Sequence, residues 1–258
     1  MSAGPALLVA LLLFGSWQLG SAVLVAALPP PWGATAAVGF AGLLGAQLVG
    51  RLGRVWRKEL GLVGVPRPLW GAVALSVPIF LGLAWAVQHL YVAVVPVPDD
   101  ELRRFAPMLR SPTWRLSLAL LAVGVAPWLE ELVFRGLIQG SLAARLGAPG
   151  AVAVGAALFA LVHWQPFLFP VLFLFGVAFG AMAYATGSLL PAVLLHAANN
   201  TAAYLTLVLQ GSELPDRDAP LAGPALVLVL LLPAAAALAR HLAVRRAQAL
   251  SLPEAEAT

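Results

Sequence analysis

The sequence predicts an all-α fold: a polytopic membrane bundle of about eight transmembrane helices, each needing roughly 20 apolar residues. Three observations carry this. Of 258 residues, 61% are hydrophobic and only 10% charged, where a soluble domain has about 25% charged residues. The apolar residues fall in long continuous runs, without the period-2 alternation of a spanning barrel. The Arg and Lys residues cluster at the ends of those runs, as the positive-inside rule requires.

Eight stretches follow in order, at 5–28, 33–50, 69–95, 114–140, 149–166, 168–186, 188–209 and 221–243. The first has no Lys or Arg before it and is long, so it reads as a membrane helix rather than a cleaved leader. After the second come Arg51, Arg54, Arg57, Lys58 and Arg67 against Glu59, and after the last come Arg240, Arg245 and Arg246. Placing both groups in the cytoplasm puts both termini there, with the loops at 96–113 and 210–220 outside. The chain is then an integral, multi-pass protein of a bacterial inner membrane.

There are no cysteines, which removes disulfides, thiolate ligands and thiol nucleophiles. The net charge of +4 is a topology signal. No basic face with base-reading or stacking groups is apparent, so nucleic acid is not an expected partner.

Polar character concentrates between 127 and 204. Residues 1–110 are expected to be packing helices, 111–210 the functional core, and 211–258 a closing helix with a basic tail. His89, beside Trp85 and Tyr91 at a helix end, reads as part of an interfacial aromatic belt. The pairs Gly136 with Gly140 and Gly176 with Gly180 have the small-xxx-small spacing that lets helices approach closely.

The run from Leu116 to Leu129 delivers Glu130, Glu131 and Arg135 into the membrane. A charge at the bilayer centre costs about 3 kcal/mol on insertion scales. Three such groups need partners, a cavity or a task. Glu131 and Arg135 are i,i+4 neighbours and form a natural ion pair. Glu130 points elsewhere and stays free. Pro127 removes one helix hydrogen bond just upstream, and a kink there would open space around Glu130.

Two later helices each bring a histidine. Phe159 and His163 are i,i+4, so the ring can buttress the imidazole. His196 and Asn200 share one face of the seventh helix, with Asn199 a neighbour that spacing does not cleanly separate. Imidazole and carboxamide N–H groups suit an oxyanion that develops during acyl transfer. A carboxylate beside a histidine can take a proton from water and return it to a leaving amine. Ser188 reads as an ordinary helix N-cap.

Taken in order, Glu130-Glu131-x-x-x-Arg135, Phe159-x-x-x-His163 and His196-x-x-x-Asn200 resemble the CAAX-protease and bacteriocin-processing family (CPBP, also called Abi). Phe134-Arg135-Gly136 and the stretch from Gly187 to Pro191 fit as well, and the resemblance covers 115–205. It implies an intramembrane endopeptidase in which Glu130 and His163 activate water, and His196 with Asn200 stabilises the oxyanion. Glu131, Arg135 and Phe159 are then supporting residues. It implies no obligatory metal or other cofactor. Were a divalent ion such as zinc bound, Glu130, His163 and His196 would be its ligands. The expected partners are the lipid bilayer and a protein or peptide substrate within it. The substrate would be the C-terminal tail of a membrane-anchored or lipid-modified protein, since a chain so rich in Ala, Leu, Val, Gly and Pro suggests a high-GC bacterium without prenylated targets.

Two rival readings stand beside this one. A transporter or proton relay should show repeats or broken helices in matching positions, and none is apparent. An inactive scaffold explains Glu131 with Arg135 but not Glu130, His163, His196 and Asn200 together. One difficulty attends the expected spans: Glu130 falls past the middle of an inward-running helix and His163 near the outer end of its own.

Overall fold

A computed structural model describes residues 3–29, 32–51, 53–95, 98, 111–210 and 220–251. Most of the two loops expected outside, and the end of the basic tail, lie beyond these residues. The described residues form helices and connecting turns, with no strand among them. In chain order they are α1 (Ala3–Ala27), α2 (Trp32–Arg51), the short α3 (Arg54–Glu59), α4 (Trp70–Val94), α5 (112–146), α6 (148–161), α7 (Phe169–Thr186), α8 (Leu190–Gln210) and α9 (Ala222–Ser251).

Among the described residues seven segments are long and apolar enough to cross a membrane, one of them spanning all of Pro112–Leu161. That segment is too long for one crossing, since 50 residues at about 1.5 Å each far exceed a bilayer core of about 30 Å. It is divided at Gly147, whose φ of 67° and ψ of 172° break the helix. Glycine adopts such a φ without steric cost, and Pro149 then sits in the opening turn of α6, where its missing N–H is harmless. The fold is a polytopic all-α membrane bundle, with seven segments of spanning length among the described residues where eight crossings were expected; α6 alone is shorter than the roughly 20 residues a crossing needs.

α5 is the central element. Its winding alternates: α over Pro112–Ala119, π over Leu120–Val125, α over Ala126–Glu131, π over Leu132–Gln139, and α again from Gly140. All eight residues from Leu132 to Gln139 are buried. Around them Phe134 packs edge-on against Phe14 of α1 and Phe159 of α6, while Phe80 of α4 meets Phe175 and Phe179 of α7. The outer helices carry their large apolar residues on the surface, such as Leu11 and Leu19 of α1 and Val229 and Leu230 of α9. Only 6% of the apolar window of α9 is buried in the bundle, which suits a helix facing lipid.

Three expectations need correction. Helix α6 ends at Leu161, not 166, and His163 lies in the turn beyond it. Helix α9 continues through the basic tail to Ser251, and Arg246 caps the Tyr184 ring of α7 at 3.9 Å. The pair Gly136 and Gly140 does not mediate packing of two long helices. A side chain at Gly136 would meet the Leu60 carbonyl at 3.2 Å, so this glycine makes room for the loop after α3.

Candidate active site

The hairpin α5–α6 fixes the depth of the site. Phe134 packs on Phe159, and the space above Gly155 is bounded by the Phe134 carbonyl and the Gln139 side chain. The same antiparallel pairing runs towards Glu130 on α5 and towards His163, which lies in the turn beyond the end of α6. Two span boundaries differ from those expected, with α5 continuing to 146 and α6 ending at 161.

Glu131 is fully buried and anchors a charged cluster. Its Oε1 accepts from Arg135 Nη1 at 3.0 Å and from His196 Nδ1 at 2.8 Å. A carboxylate only accepts, so Nδ1 carries the proton. Arg135 Nη2 donates to the Gly176 carbonyl of α7 at 3.0 Å. Its guanidinium lies over the Phe159 ring at 4.6 Å and the Phe179 ring at 5.4 Å, within range for cation–π attraction. The ion pair expected between Glu131 and Arg135 is formed, and helices α5, α7 and α8 are tied through it.

His196 lies parallel to Phe179, with ring centroids 4.9 Å apart and planes at 14°, and edge-on to Phe159 at 5.6 Å. Sandwiched so, the imidazole faces a glutamate at each nitrogen. Nδ1 holds Glu131, and Nε2 stands 3.8 Å from Glu130 Oε2. The second distance is too long for a hydrogen bond. The Glu130 side chain is 13% exposed, against 0% for Glu131, and Glu130 Oε2 has no hydrogen-bond partner. The Oε2 of each glutamate lacks a hydrogen-bond partner; the two differ in that Glu131 is bonded twice at Oε1, while Glu130 meets only His196 Nε2, at 3.8 Å.

His163 is half-buried, with Nδ1 at 2.7 Å from the Phe159 carbonyl and its ring 4.7 Å from the Phe159 ring. The two imidazoles thus flank the same phenyl ring. Glu130 and His163 share no direct hydrogen bond or ion pair. Asn200 stands one turn from His196 on α8 and donates Nδ2 to the Ala122 carbonyl at 2.8 Å. Asn199 donates weakly to Asn200 Oδ1 at 3.4 Å. Asn200, not Asn199, is the one that reaches α5.

Among the described residues no three His, Asp or Glu side chains converge so as to hold an ion, and Glu131 is occupied by Arg135 and His196. The ligand trio Glu130, His163 and His196 does not close on one point here. A 260 Å³ cleft between α2 and α5, lined by Gly45, Val125, Leu129 and Leu132 among others, contains no titratable side chain and lies on the far face of α5 from Glu130. Ser188 is engaged, donating to the Val63 carbonyl at 2.6 Å and accepting from the Leu190 N–H at 3.3 Å, as an N-cap should.

Sequence reasoning missed Gln139 and Phe179. Gln139 donates to the Gly180 carbonyl at 3.0 Å, repeating one turn later the Arg135 contact with Gly176. The signal was available, because Glu131, Arg135 and Gln139 recur every fourth residue. Nothing marks Phe179 among 11 phenylalanines.

Residues 112–202, from the start of α5 into α8, match the family model described as type II CAAX prenyl endopeptidase Rce1-like. This stretch is similar to CAAX-type proteases. It holds every residue of the cluster just described and leaves α1, α2, α4 and α9 outside the match. The match agrees with the motifs on which the sequence resemblance rests. No curated protein and no solved structure matches the chain.

Proposed function

We propose that the chain is an intramembrane endopeptidase that hydrolyses a peptide bond near the C-terminal tail of a membrane-associated or lipid-modified protein. The observation that carries this reading is the contrast between the glutamates: Glu131 bonded to Arg135 and His196, Glu130 with a free Oε2 facing His196 Nε2. A free carboxylate beside an ordered imidazole is the arrangement that general-base hydrolysis needs.

In this reading Glu130, assisted by His163, takes a proton from water. The resulting hydroxide adds to the scissile carbonyl carbon. The oxyanion accepts from His196 Nε2–H and from an Asn200 carboxamide N–H. In this role His196 donates from both nitrogens, Nδ1 to Glu131 and Nε2 to the oxyanion. The C–N bond breaks as Glu130 passes its proton to the leaving amine. Glu131 and Arg135 hold His196 in orientation, and Phe159 spaces the two histidines. No step is routed through a metal.

The bias of Arg and Lys further supports an inner-membrane orientation with both termini in the cytoplasm. Reporter fusions at Thr258 and within 210–220 should report opposite sides, and same-side signals would sink that orientation.

The test of the activity is cleavage of tail-anchored and lipid-modified reporter proteins in membranes, read as the mass of the released C-terminal peptide. Wild-type protein should release it and Glu130→Ala should not. Release that persists in Glu130→Ala would overturn the reading. Purified enzyme that contains stoichiometric zinc, loses activity on its removal and regains it on zinc return would overturn the metal-free route and recast His163 and His196 as ligands.

A further inference from the structure

We propose that Pro127 is the positioning residue of Asn200: by removing one main-chain donor it leaves the Ala122 carbonyl open, and that carbonyl fixes the Asn200 carboxamide. The inference rests on Asn200 acting as an oxyanion donor, and it adds a residue to that machinery.

Over Leu120–Val125 the chain of α5 is wound with i to i+5 bonds, and the Ala126 N–H is committed to the Leu121 carbonyl. At the same spacing the partner of the Ala122 carbonyl is residue 127. Proline has no N–H, so this donor does not exist. At membrane depth no water is at hand to satisfy a main-chain carbonyl, so it needs a partner from the protein. The missing bond is supplied from α8, 78 positions away, where Asn200 Nδ2 donates to the Ala122 carbonyl at 2.8 Å.

That bond settles more than the carbonyl's account. A carbonyl oxygen only accepts, so the amide nitrogen of Asn200, not its oxygen, must face Ala122. Asn199 Nδ2 meets Oδ1 from the other side and favours the same orientation. One of the two N–H bonds is now committed. The other lies in the same plane, at about 120° to the first by sp² geometry, and remains for an incoming oxyanion. Pro127 is itself fully buried and precedes Glu130 by three residues, almost one turn of the same helix. The residue that frees the Ala122 carbonyl is thus rigidly connected to the proposed base.

Pro127→Ala restores the N–H and directs it down the helix, at Ala122 in π winding or at Val123 in α winding. Either outcome takes away the fixed acceptor of Asn200: the first by competition, the second by rewinding the turn. Turnover of a cleaved reporter should fall by about tenfold with KM unchanged, a part of the roughly hundredfold loss expected for removing a whole oxyanion donor. The deciding measurement is the double-mutant cycle. On an Asn200→Ala background Pro127→Ala should cost nothing further, because the group it positions is gone. Losses that multiply would overturn the proposal and leave Asn200 in its role. An Asn200→Ala protein with full turnover would overturn the oxyanion reading and this proposal with it. If Pro127→Ala does not accumulate in the membrane, Pro127→Val, which restores the N–H at nearly the volume of the ring, enters the same cycle. A valine variant with wild-type turnover would equally overturn the proposal.

Discussion

The two π-wound runs of α5 share a backbone geometry and have opposite surroundings. None of the six residues from Leu120 to Val125 is buried, and the run is wholly apolar in sequence. The eight residues from Leu132 to Gln139 are all buried, although they include an arginine and a glutamine. In the sealed run the polar side chains belong to α5 and reach out, Arg135 to Gly176 and Gln139 to Gly180. In the open run the polar side chain comes in from α8, where Asn200 meets a carbonyl of α5. Glu130 and Glu131 sit on the α turn between the two runs. Successive residues on a helix are about 100° apart, enough to hand Glu131 to the sealed side and Glu130 to the open one. One widened helix thus serves as a structural clamp below the glutamates and as a wall of the candidate site above them.

The largest effect expected tests that division directly. Glu130→Gln keeps shape and removes the base, and should lower turnover by about 10² to 10⁴-fold while thermal unfolding in detergent is unchanged. Glu131→Gln and Arg135→Ala should do the reverse. Each breaks a pair with both side chains 0% exposed, and opening a buried pair costs about 3–5 kcal/mol. The yield of folded protein should drop, and any turnover loss should follow that drop. If Glu131→Gln left yield and melting intact and abolished turnover, the two glutamates would have to exchange roles. Asn200→Ala should be milder than Glu130→Gln in rate, at about 10² to 10³-fold for one oxyanion donor, and should also lower membrane yield, because it leaves the Ala122 carbonyl without its side-chain donor.

Much of this was legible in the sequence. Hydropathy marks the spans, because lipid demands long apolar helices with all main-chain groups satisfied. The cost of charge in lipid marks Glu130, Glu131 and Arg135, and the i,i+4 rule pairs the last two correctly. What was not legible is winding and helix extent. Hydropathy is blind to whether Leu120–Val125 closes i+4 or i+5 bonds, so the kink expected at Pro127 appears instead as a widened turn with an open carbonyl. The break near Gly147 is legible, with Arg145 and Pro149 beside it; there hydropathy misses only how far each helix runs, α5 reaching 146 and α6 stopping at 161. Nor does sequence say which nitrogen of His196 faces which glutamate, since that depends on the stacking of Phe179, a residue on another helix.

Glycine spacing supplies the smallest and most discriminating tests, because the two small-xxx-small pairs look alike in sequence and differ in the fold. At Gly176 a methyl group would lie 2.8 Å from the Ala156 Cα, a backbone atom of α6 that cannot swing aside. Gly176→Ala should therefore push α7 from α6, lengthen the Arg135 bond to the Gly176 carbonyl, and cost about 1–3 kcal/mol as overpacking does. At Gly140 the nearest atom to such a methyl is the Arg135 carbonyl at 3.6 Å, an ordinary contact, and the position is exposed. Its φ/ψ of −58° and −42° are those of an α-helix, so alanine fits without strain. Gly140→Ala should then stabilise the protein by about 0.5–1 kcal/mol, the penalty that glycine carries in a helix interior. Opposite signs in the melting temperatures of the two variants would confine close helix approach to the α6–α7 contact. A Gly140→Ala protein as destabilised as Gly176→Ala would mean that the end of α5 is also pressed against a neighbour, and that the clamp extends beyond Gln139.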